Sequence, residues 1–397
     1  MRPALRALLV ALAFVMPPSA LAAQDSTERA AEPEHWSLDI PARGYGLSFG
    51  NSARFSGLRF NIQDAGLDRI NGVNITIWKS GKPVTGTVNG LAVGIVGPAA
   101  AELNGVSVGL VGVIAEARAR WVTVGGLGVV SQGALDGLTL AGLGLVSQGP
   151  MRGIALAGLG AVSQGEMSGV IVAALGAVSQ GGMSGLGVAG LGVVAQGSMT
   201  GILASGLGTV TQGDLRGASL SGLASVAQGT VTGIHAAGLA VVTQGGVTGV
   251  TVSGLATVAQ GSVAGLNVSG LAVVTQGRVR GITVGGLAVV GEAGVSGLTA
   301  ALYKVETRRA AGITVAGLYL KTSAMSGMSV SAYNRVRGVQ TGISIGLLNY
   351  ARELHGFQVG LLNIARNNAS SFRVLPILNA HLGRAAAAAP EPAPGTR

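Results

Sequence analysis

The chain has 397 residues, a formal net charge of +10, 68 glycines and no cysteine. Without cysteine, disulfides, thiolate metal sites, a cysteine nucleophile and lipid attachment to an N-terminal cysteine are excluded. Aromatic residues make up only 4% of the chain and show no arrangement for stacking on bases, so we expect no nucleic-acid partner.

Residues 1–23 predict a secretory signal peptide. Basic residues occur within Met1–Arg6, an apolar stretch follows from Ala7 to Met16, and small residues precede Gln24. The apolar stretch is too short to span a bilayer. We therefore expect an exported protein that is not a lipoprotein and that resides in the periplasm, at the outer-membrane surface or outside the cell.

The next two segments predict the start of a repeat architecture. Residues 24–56 are predicted as a polar lead-in and an N-terminal cap. Over residues 57–121, glycines precede apolar-x-apolar triplets such as Leu58-Arg-Phe60 and Val106-Ser-Val108 at uneven spacing. These residues predict irregular flanking coils, in which Trp121 stands where one of the glycines is expected.

Residues 122–297 contain an exact sixteen-residue repeat, which is marked by a glutamine in every unit. Such a period indicates stacked units that contact only their neighbours. We predict an all-β parallel β-solenoid of about twenty coils, which at about 4.8 Å per coil is a rod about 90–100 Å long. The glutamines are Gln132, Gln148, Gln164, Gln180, Gln196, Gln212, Gln228, Gln244, Gln260 and Gln276.

The repeat also suggests which residues face inward. Position 1 is the glycine at 137 and at every sixteenth residue after it. Positions 2 and 4 are mostly apolar, position 7 is always Leu and position 10 is always Val, so these positions are predicted to form the core. Position 3 varies widely and is predicted to point outward. On this assignment, Val242→Asp would cost several kcal/mol of stability or abolish folding, and His235→Ser would have little effect.

The glutamines have two interpretations. In a parallel in-register stack, each side-chain amide can donate to the carbonyl of the next glutamine, which would form a structural ladder. Alternatively, the glutamine is an exposed turn residue that repeats only through gene duplication.

An antiparallel outer-membrane β-barrel is the alternative architecture. A barrel alternates two kinds of turn and carries aromatic girdles at both membrane interfaces. Here every turn contains the same Gln-Gly, and residues 122–297 contain no aromatic residue, both of which favour the solenoid. The residue before each glutamine alternates between Ala and Thr from Ala195 to Thr275, which is a thirty-two-residue period. A barrel has a period of two strands, so this alternation keeps the barrel as an alternative.

Residues 298–383 are predicted as shorter-period basic coils and a cap, and residues 384–397 as a disordered Ala/Pro tail. The basic residues could face anionic lipid, lipopolysaccharide or another polyanion, or could simply be solvated. The candidate anion-facing residues are Lys304, Arg308, Arg309, Lys321, Arg335 and Arg337.

Two segments of this region, Gly342-Ile-Ser-Ile-Gly-Leu-Leu-Asn-Tyr-Ala-Arg352 and Gly356-Phe-Gln-Val-Gly-Leu-Leu-Asn-Ile-Ala-Arg366, resemble the repeats of a bacterial exported surface-repeat protein family. The resemblance extends to Val374–Asn379 and to Arg69–Trp78. It implies a location at the cell envelope or surface and no established activity. The repeats of that family read Gly-apolar-Gln-apolar-Gly-Leu-x-Asn, and the sixteen-residue glutamine repeat departs from this motif.

No catalytic, cofactor-binding or metal-ligating residues are predicted. Ser107 and Ser344 match the Gly-x-Ser-x-Gly pattern of serine hydrolases, but both lie on repeat strands rather than at a strand-to-helix turn. The sequence favours a non-catalytic structural or adhesive scaffold of the cell envelope that binds glycan or protein partners, or other copies of itself, along flat faces. The alternatives are a membrane-embedded β-structure and, less favoured, an enzyme acting on polysaccharide.

Overall fold

A computed structural model describes residues 36–41, 44–82 and 84–383. The predicted signal peptide, residues 24–35 of the polar lead-in and the Ala/Pro tail lie outside the described residues. Strands account for 72% of the described residues and stack as the parallel coils of a β-solenoid with about nineteen turns. The predicted fold is confirmed.

The pairing between coils is parallel and in register. Gly153 lies opposite Gly169, which lies opposite Gly185, and every residue of these strands pairs with the equivalent residue of the next coil. The predicted sixteen-residue period is therefore the length of one turn of the solenoid, and the antiparallel alternative is wrong. Trp121 pairs with Gly105 and Gly137, as predicted for a residue that replaces a position-1 glycine.

The N-terminal coils use strands of increasing length. They are β1 Ser37–Ile40, β2 Tyr45–Gly50, β3 Arg54–Asn61, β4 Arg69–Thr76, β5 Thr87–Gly94, β6 Ala99–Gly109 and β7 Gly112–Gly125. β1 pairs antiparallel with β2, and β2 begins the parallel stack. The antiparallel strand β1 therefore lies at the N-terminal end of the stack.

Each coil of the exact repeat contains one short and one long strand. The short strands cover positions 8–11: β8 Gly128–Ser131, β10 Gly144–Ser147, β12 Gly160–Ser163, β14 Gly176–Ser179, β16 Gly192–Ala195, β18 Gly208–Thr211, β20 Ala224–Ala227, β22 Ala240–Thr243, β24 Ala256–Ala259, β26 Ala272–Thr275 and β28 Ala288–Gly291. The long strands run from about position 15 to position 5 of the next unit: β9 Ala134–Ala141, β11 Met151–Ala157, β13 Met167–Ala173, β15 Met183–Ala189, β17 Met199–Ser205, β19 Leu215–Ser221, β21 Val231–Ala237, β23 Val247–Ser253, β25 Val263–Ser269, β27 Arg278–Gly285 and β29 Gly294–Ala301.

Beyond β29 the two strands of each coil merge because the turn after position 11 loses a residue. The merged strands are β30 Lys304–Ala316, β31 Tyr319–Val330, β32 Tyr333–Ile345 and β33 Leu348–Ala365. A 3₁₀ turn at Ser370–Phe372 leads to β34 Val374–His381, which pairs antiparallel with β33 and caps the C-terminal end.

The predicted assignment of inside and outside is wrong by one residue. Positions 3, 5, 9, 11 and 15 are buried, whereas positions 2, 4, 7 and 10 face outward. His235 at position 3 is 1% exposed, while Leu239 at position 7 is 43% exposed. Because strand side chains alternate between the two faces, an error of one residue moves every side chain to the wrong side.

The interior combines small apolar residues with hydroxyls that bind the backbone. Ser147 Oγ donates to Gly133 O at 2.6 Å in the preceding turn, and Ser163 Oγ donates to Gly149 O at 2.8 Å. Thr211 makes the equivalent bond to Gly197 O at 2.5 Å. Position 11 therefore holds a small residue that can lie inside the coil. Where this residue is Ser or Thr, its hydroxyl forms hydrogen bonds with backbone groups of the Gln-Gly turns.

The predicted glutamine ladder is not formed by side chains. All ten glutamines, Gln132 to Gln276, are exposed, and within the described part of the chain no hydrogen bond joins their side-chain amides. Their backbone forms the ladder instead, since Gln148 N donates to Ser131 O and Gln164 N donates to Ser147 O, each at 2.9 Å. Water can satisfy an exposed amide, so the side chains gain little from pairing.

An amide ladder does form inside the C-terminal coils. Asn334 Nδ2 donates to Asn349 Oδ1, and Asn349 Nδ2 donates to Asn363 Oδ1, both at 2.8 Å. All three asparagines are fully buried. The asparagines of the two Gly-Leu-Leu-Asn segments are therefore structural, because each satisfies the amide of a neighbouring coil where water is absent.

Candidate functional site

The charged side chains of the exact repeat lie on one side of the cross-section. Between residues 122 and 297 every Asp, Glu, Lys and Arg is at position 12, 14 or 16. We call these three rows, in which equivalent side chains stack from coil to coil, the polar flank. Its charged members are Asp136, Arg152, Glu166, Asp214, Arg216, Arg278, Arg280 and Glu292.

The rest of the outer surface is apolar. We call the rows at positions 2, 4, 7, 8 and 10 the apolar flank; within units 137–296 each of their residues is Leu, Ile, Val, Ala or Gly. Ile234 is 62% exposed and Leu220 is 63% exposed, so these are surface residues and not the edge of a core. The exterior of this side is more apolar than the interior, which is unusual for a surface in water.

A shallow groove lies on the apolar flank beside the row at position 4, over the residues at positions 5 and 6. Its floor consists of small residues, such as Ala141 and Gly142, because the neighbouring coil leaves no room for larger ones. A Cβ on Gly158 would lie 1.7 Å from Gly142 O. One stretch of the groove, about 500 Å³ in volume, is lined by Val124, Leu140 and Leu156.

A second stretch of the groove lies beside the C-terminal cap. It has a volume of about 640 Å³ and is lined by Val315, Val330, Ile345, Leu347, Leu361 and Ile377. Ile377 belongs to the capping strand β34. We call this stretch the terminal groove.

In the same C-terminal coils, the rows at positions 8 and 10 change from aliphatic to charged and aromatic residues. Ala288 is followed in its row by Lys304, Tyr319 and Tyr333. Val290 is followed by Glu306, Lys321 and Arg335. We call these six residues from Lys304 to Arg335 the charged patch. All six side chains are half-buried.

The charged patch is held together by ion pairing and ring contact. Glu306 lies between two lysines, with Oε2 3.1 Å from Lys304 Nζ and Oε1 bonded to Lys321 Nζ. These bonds, that from Lys321 above all, lower the pKa of Glu306. The rings of Tyr319 and Tyr333 lie 5.3 Å apart. A hydrogen bond with the Tyr319 hydroxyl raises the pKa of Arg335.

The structure brings together most of the predicted basic residues. Lys304, Lys321 and Arg335 share the patch, and Arg308 and Arg337 line a shallow cavity of about 460 Å³ beside it. Arg309 lies apart, opposite Ala324 at the start of the long-strand segment. Tyr319 and Tyr333 were not predicted from the sequence, although Tyr319 lies fifteen residues after Lys304 and Tyr333 fourteen residues after Tyr319, which places all three in one row.

Other sequence candidates lie elsewhere. Ser107 and Ser344 are buried, and Ser344 Oγ contacts Ser329 Oγ at 2.9 Å, so neither hydroxyl faces a cleft. His355 and His381, which are distant in sequence, stack edge to face with ring centroids 5.8 Å apart at the C-terminal cap. In the described ranges, no group of three or more His, Asp or Glu side chains could hold a metal ion.

A row of buried polar side chains runs through the interior at position 3. His235 Nδ1 lies 2.8 Å from Ser219 Oγ, whereas His235 Nε2 has no partner. Unpartnered atoms continue on Thr251, Asn267 and Thr283 in the following three coils. Burial lowers the pKa of His235, because a charged imidazole would be poorly solvated there.

Stability is therefore expected to fall as the pH drops below about 6.5, the usual pKa of an unfolded-state histidine. The unfolded chain then takes up a proton that folded His235 does not bind until the pH is lower, so protonation favours unfolding. His235→Thr, which copies Thr251 of the next coil, should remove this part of the pH dependence. Urea midpoints at pH 7.5 and pH 5.5 measure it, and an equal loss of stability in the variant would contradict the assignment.

Comparison of the chain with protein-family models, curated proteins and solved structures gives no match. Among the described residues, no helix is long and apolar enough to cross a membrane.

Proposed function

We propose that the chain is an exported, non-catalytic structural scaffold of the cell envelope that lies along a lipid bilayer through its apolar flank. The observation that carries the proposal is the segregation around each coil, with charges confined to positions 12, 14 and 16 and aliphatic residues at positions 2, 4, 7, 8 and 10. Such a rod can bury its apolar rows in hydrocarbon while its charged rows remain in water.

The size of the apolar flank supports this proposal. Ten coils at about 4.8 Å, with several rows across, present an apolar surface on the order of 1,000 Å². Monomeric soluble proteins rarely expose contiguous apolar patches larger than about 300–600 Å². A surface of this extent favours a permanent apolar partner.

The shape of the flank favours a bilayer over a second copy of the chain. Positions 2 and 4 lie on the long strands and positions 8 and 10 on the short strands, so the flank occupies two faces of the solenoid. The position-7 leucines form the edge between them. A flat face of another solenoid could cover only one of these faces, whereas fluid lipid can surround the edge and cover both.

Vesicle binding tests the proposal. The full chain should float with neutral phosphatidylcholine vesicles in a density gradient. Replacing three edge leucines, Leu191, Leu207 and Leu223, with Ser should weaken binding at least a hundred-fold, since each buried leucine contributes about 1 kcal/mol or more.

The matched control replaces Gln196, Gln212 and Gln228, in the same coils but on the polar flank, with Ser. This variant should bind as the parent does, and both variants should keep the parent's thermal unfolding. A chain that forms stable dimers in solution and does not float with the vesicles would overturn the proposal in favour of self-association.

A further inference from the structure

We propose that the terminal groove and the charged patch together form a binding site for an anionic phospholipid, with an acyl chain in the groove and the phosphate on Lys304, Lys321 and Arg335. The inference deepens the proposed function and rests on it, because it assigns a lipid headgroup preference to a scaffold that lies on a bilayer.

The groove and the patch are adjacent along the chain. Ala332 lines the terminal groove, and the patch residues Tyr333 and Arg335 follow it directly on β32. At about 3.3 Å per residue, the backbones of Ala332 and Arg335 are on the order of 10 Å apart along the strand. This separation suits one amphiphile, whose apolar and charged parts are joined through a short glycerol backbone.

The terminal groove has the chemistry of an acyl-chain site. Its walls are aliphatic side chains on successive coils, Val315, Val330 and Ile345 on one side and Leu347 and Leu361 on the other. The floor includes Gly317 and Gly346, where a Cβ would lie 1.9 Å and 2.0 Å from a backbone oxygen of the preceding coil. Small floor residues and tall aliphatic walls make a trough that runs parallel to the solenoid axis.

The charged patch has unused positive charge. Glu306 pairs with Lys304 and Lys321, but within the described residues no carboxylate lies within ion-pair distance of Arg335, Arg308 or Arg337. A guanidinium binds phosphate oxygens through two parallel N–H donors, and the lysines add point charges beside it. The Tyr319 and Tyr333 rings lie in the row of Lys304, beside the row of Lys321 and Arg335, and amphipathic aromatic side chains suit the headgroup region of a bilayer.

The position of the patch favours a lipid over a soluble anion. Its rows continue those at positions 8 and 10 of the apolar flank, so the face that contacts lipid in the repeat becomes charged only in its last coils. A free polyanion would use the basic side chains but would leave the adjoining apolar groove unfilled. Basic side chains at the end of an apolar surface are placed to contact anionic headgroups.

Vesicle composition tests the inference with the full chain. Vesicles with 30% phosphatidylglycerol should bind about ten-fold or more tightly than pure phosphatidylcholine, since each basic residue near an anionic surface contributes about a five-fold effect. Lys321→Gln with Arg335→Gln should reduce the ratio of the two affinities to near one. The control pair, Arg278→Gln with Arg280→Gln, removes the same charge from the polar flank and should keep the preference.

Two further variants separate headgroup from acyl chain. Glu306→Gln should strengthen binding to phosphatidylglycerol vesicles, because it removes the carboxylate that competes with phosphate for both lysines. Leu347→Gln with Leu361→Gln should weaken binding to those vesicles. This variant should still bind them more tightly than vesicles of pure phosphatidylcholine. Soluble glycerophosphoglycerol should compete only weakly, and complete competition would overturn the acyl-chain part.

The outcomes distinguish this inference from the proposed function. Equal binding to the two compositions, or equal losses in the patch pair and the control pair, would overturn the headgroup site and leave the bilayer scaffold standing. Binding to phosphatidylglycerol vesicles alone, lost in the patch pair, would support the headgroup site and contradict a bilayer contact made mainly by the apolar flank.

Discussion

Val241→Asp is expected to unfold the solenoid, whereas the same substitution at the next residue, Val242→Asp, is expected to leave it folded. Val241 is 0% exposed at position 9 and lies between Ser225 and Thr257 of the neighbouring coils. A buried, unpaired carboxylate there should lower the free energy of unfolding by about 3–5 kcal/mol. Val242 at position 10 is half-buried and faces outward, so its replacement should cost about 1 kcal/mol or less.

The measurement is the urea midpoint followed by far-UV circular dichroism for the parent and both variants. Because the two valines are adjacent, composition and chain position are matched, and only the side of the sheet differs. Val242→Asp should in addition weaken vesicle binding, since it places a charge on the apolar flank. If Val241→Asp folded and Val242→Asp did not, position 10 would be buried and position 9 exposed, as the sequence pattern suggested.

The sequence predicted the architecture well because stacking and register depend on the repeat length. Equal spacing of the position-1 glycines requires each coil to close after the same number of residues, which places Gly153 over Gly137 and under Gly169. Parallel in-register pairing follows from that closure. The same reasoning placed Trp121 correctly, because the glycine spacing continues through it.

The sequence could not show which side was buried because apolarity, the usual signal, is stronger outside. Leu at position 7 and Val at position 10 never vary, yet both face outward, whereas position 3 holds His235 and Asn267 inside. A signal for the correct side was available at position 11. Ser147 and Thr211 each precede a Gln-Gly turn, where an inward hydroxyl can reach the turn carbonyl.

The candidate site was found only in part for a related reason. The distribution of charged residues along the chain identified the basic C-terminal region, but which of these residues share a row depends on the shortened turn. Lys304 and Tyr319 share a row only because the coil there has fifteen residues. Stacked side-chain amides do form a ladder, as predicted, but the residues are different. The ladder contains buried asparagines such as Asn349, whereas the repeat glutamines are exposed.

Gly201→Ala is expected to be among the most costly single-methyl substitutions in the repeat. Gly201 has φ +125°, and a Cβ there would lie 2.1 Å from Gly185 O. An L-residue at positive φ costs about 1–2 kcal/mol, and the contact with a backbone oxygen adds to it because the neighbouring coil cannot move aside. The free energy of unfolding should fall by about 2–4 kcal/mol, measured by urea denaturation.

Two further substitutions make this prediction specific. Gly192→Ala, in a row where other coils already carry Ala, places its Cβ 3.4 Å from Gly208 O and should change the stability by about 0.5 kcal/mol or less. Trp121→Gly gives the reciprocal test. Trp121 has φ 79° and is 73% exposed, so glycine should relieve backbone strain while removing little packing, and stability should rise by about 0.5 kcal/mol. Equal effects of Ala at 201 and 192 would show that the coils separate enough to admit a side chain, and that the position-1 glycines are not required by close backbone approach.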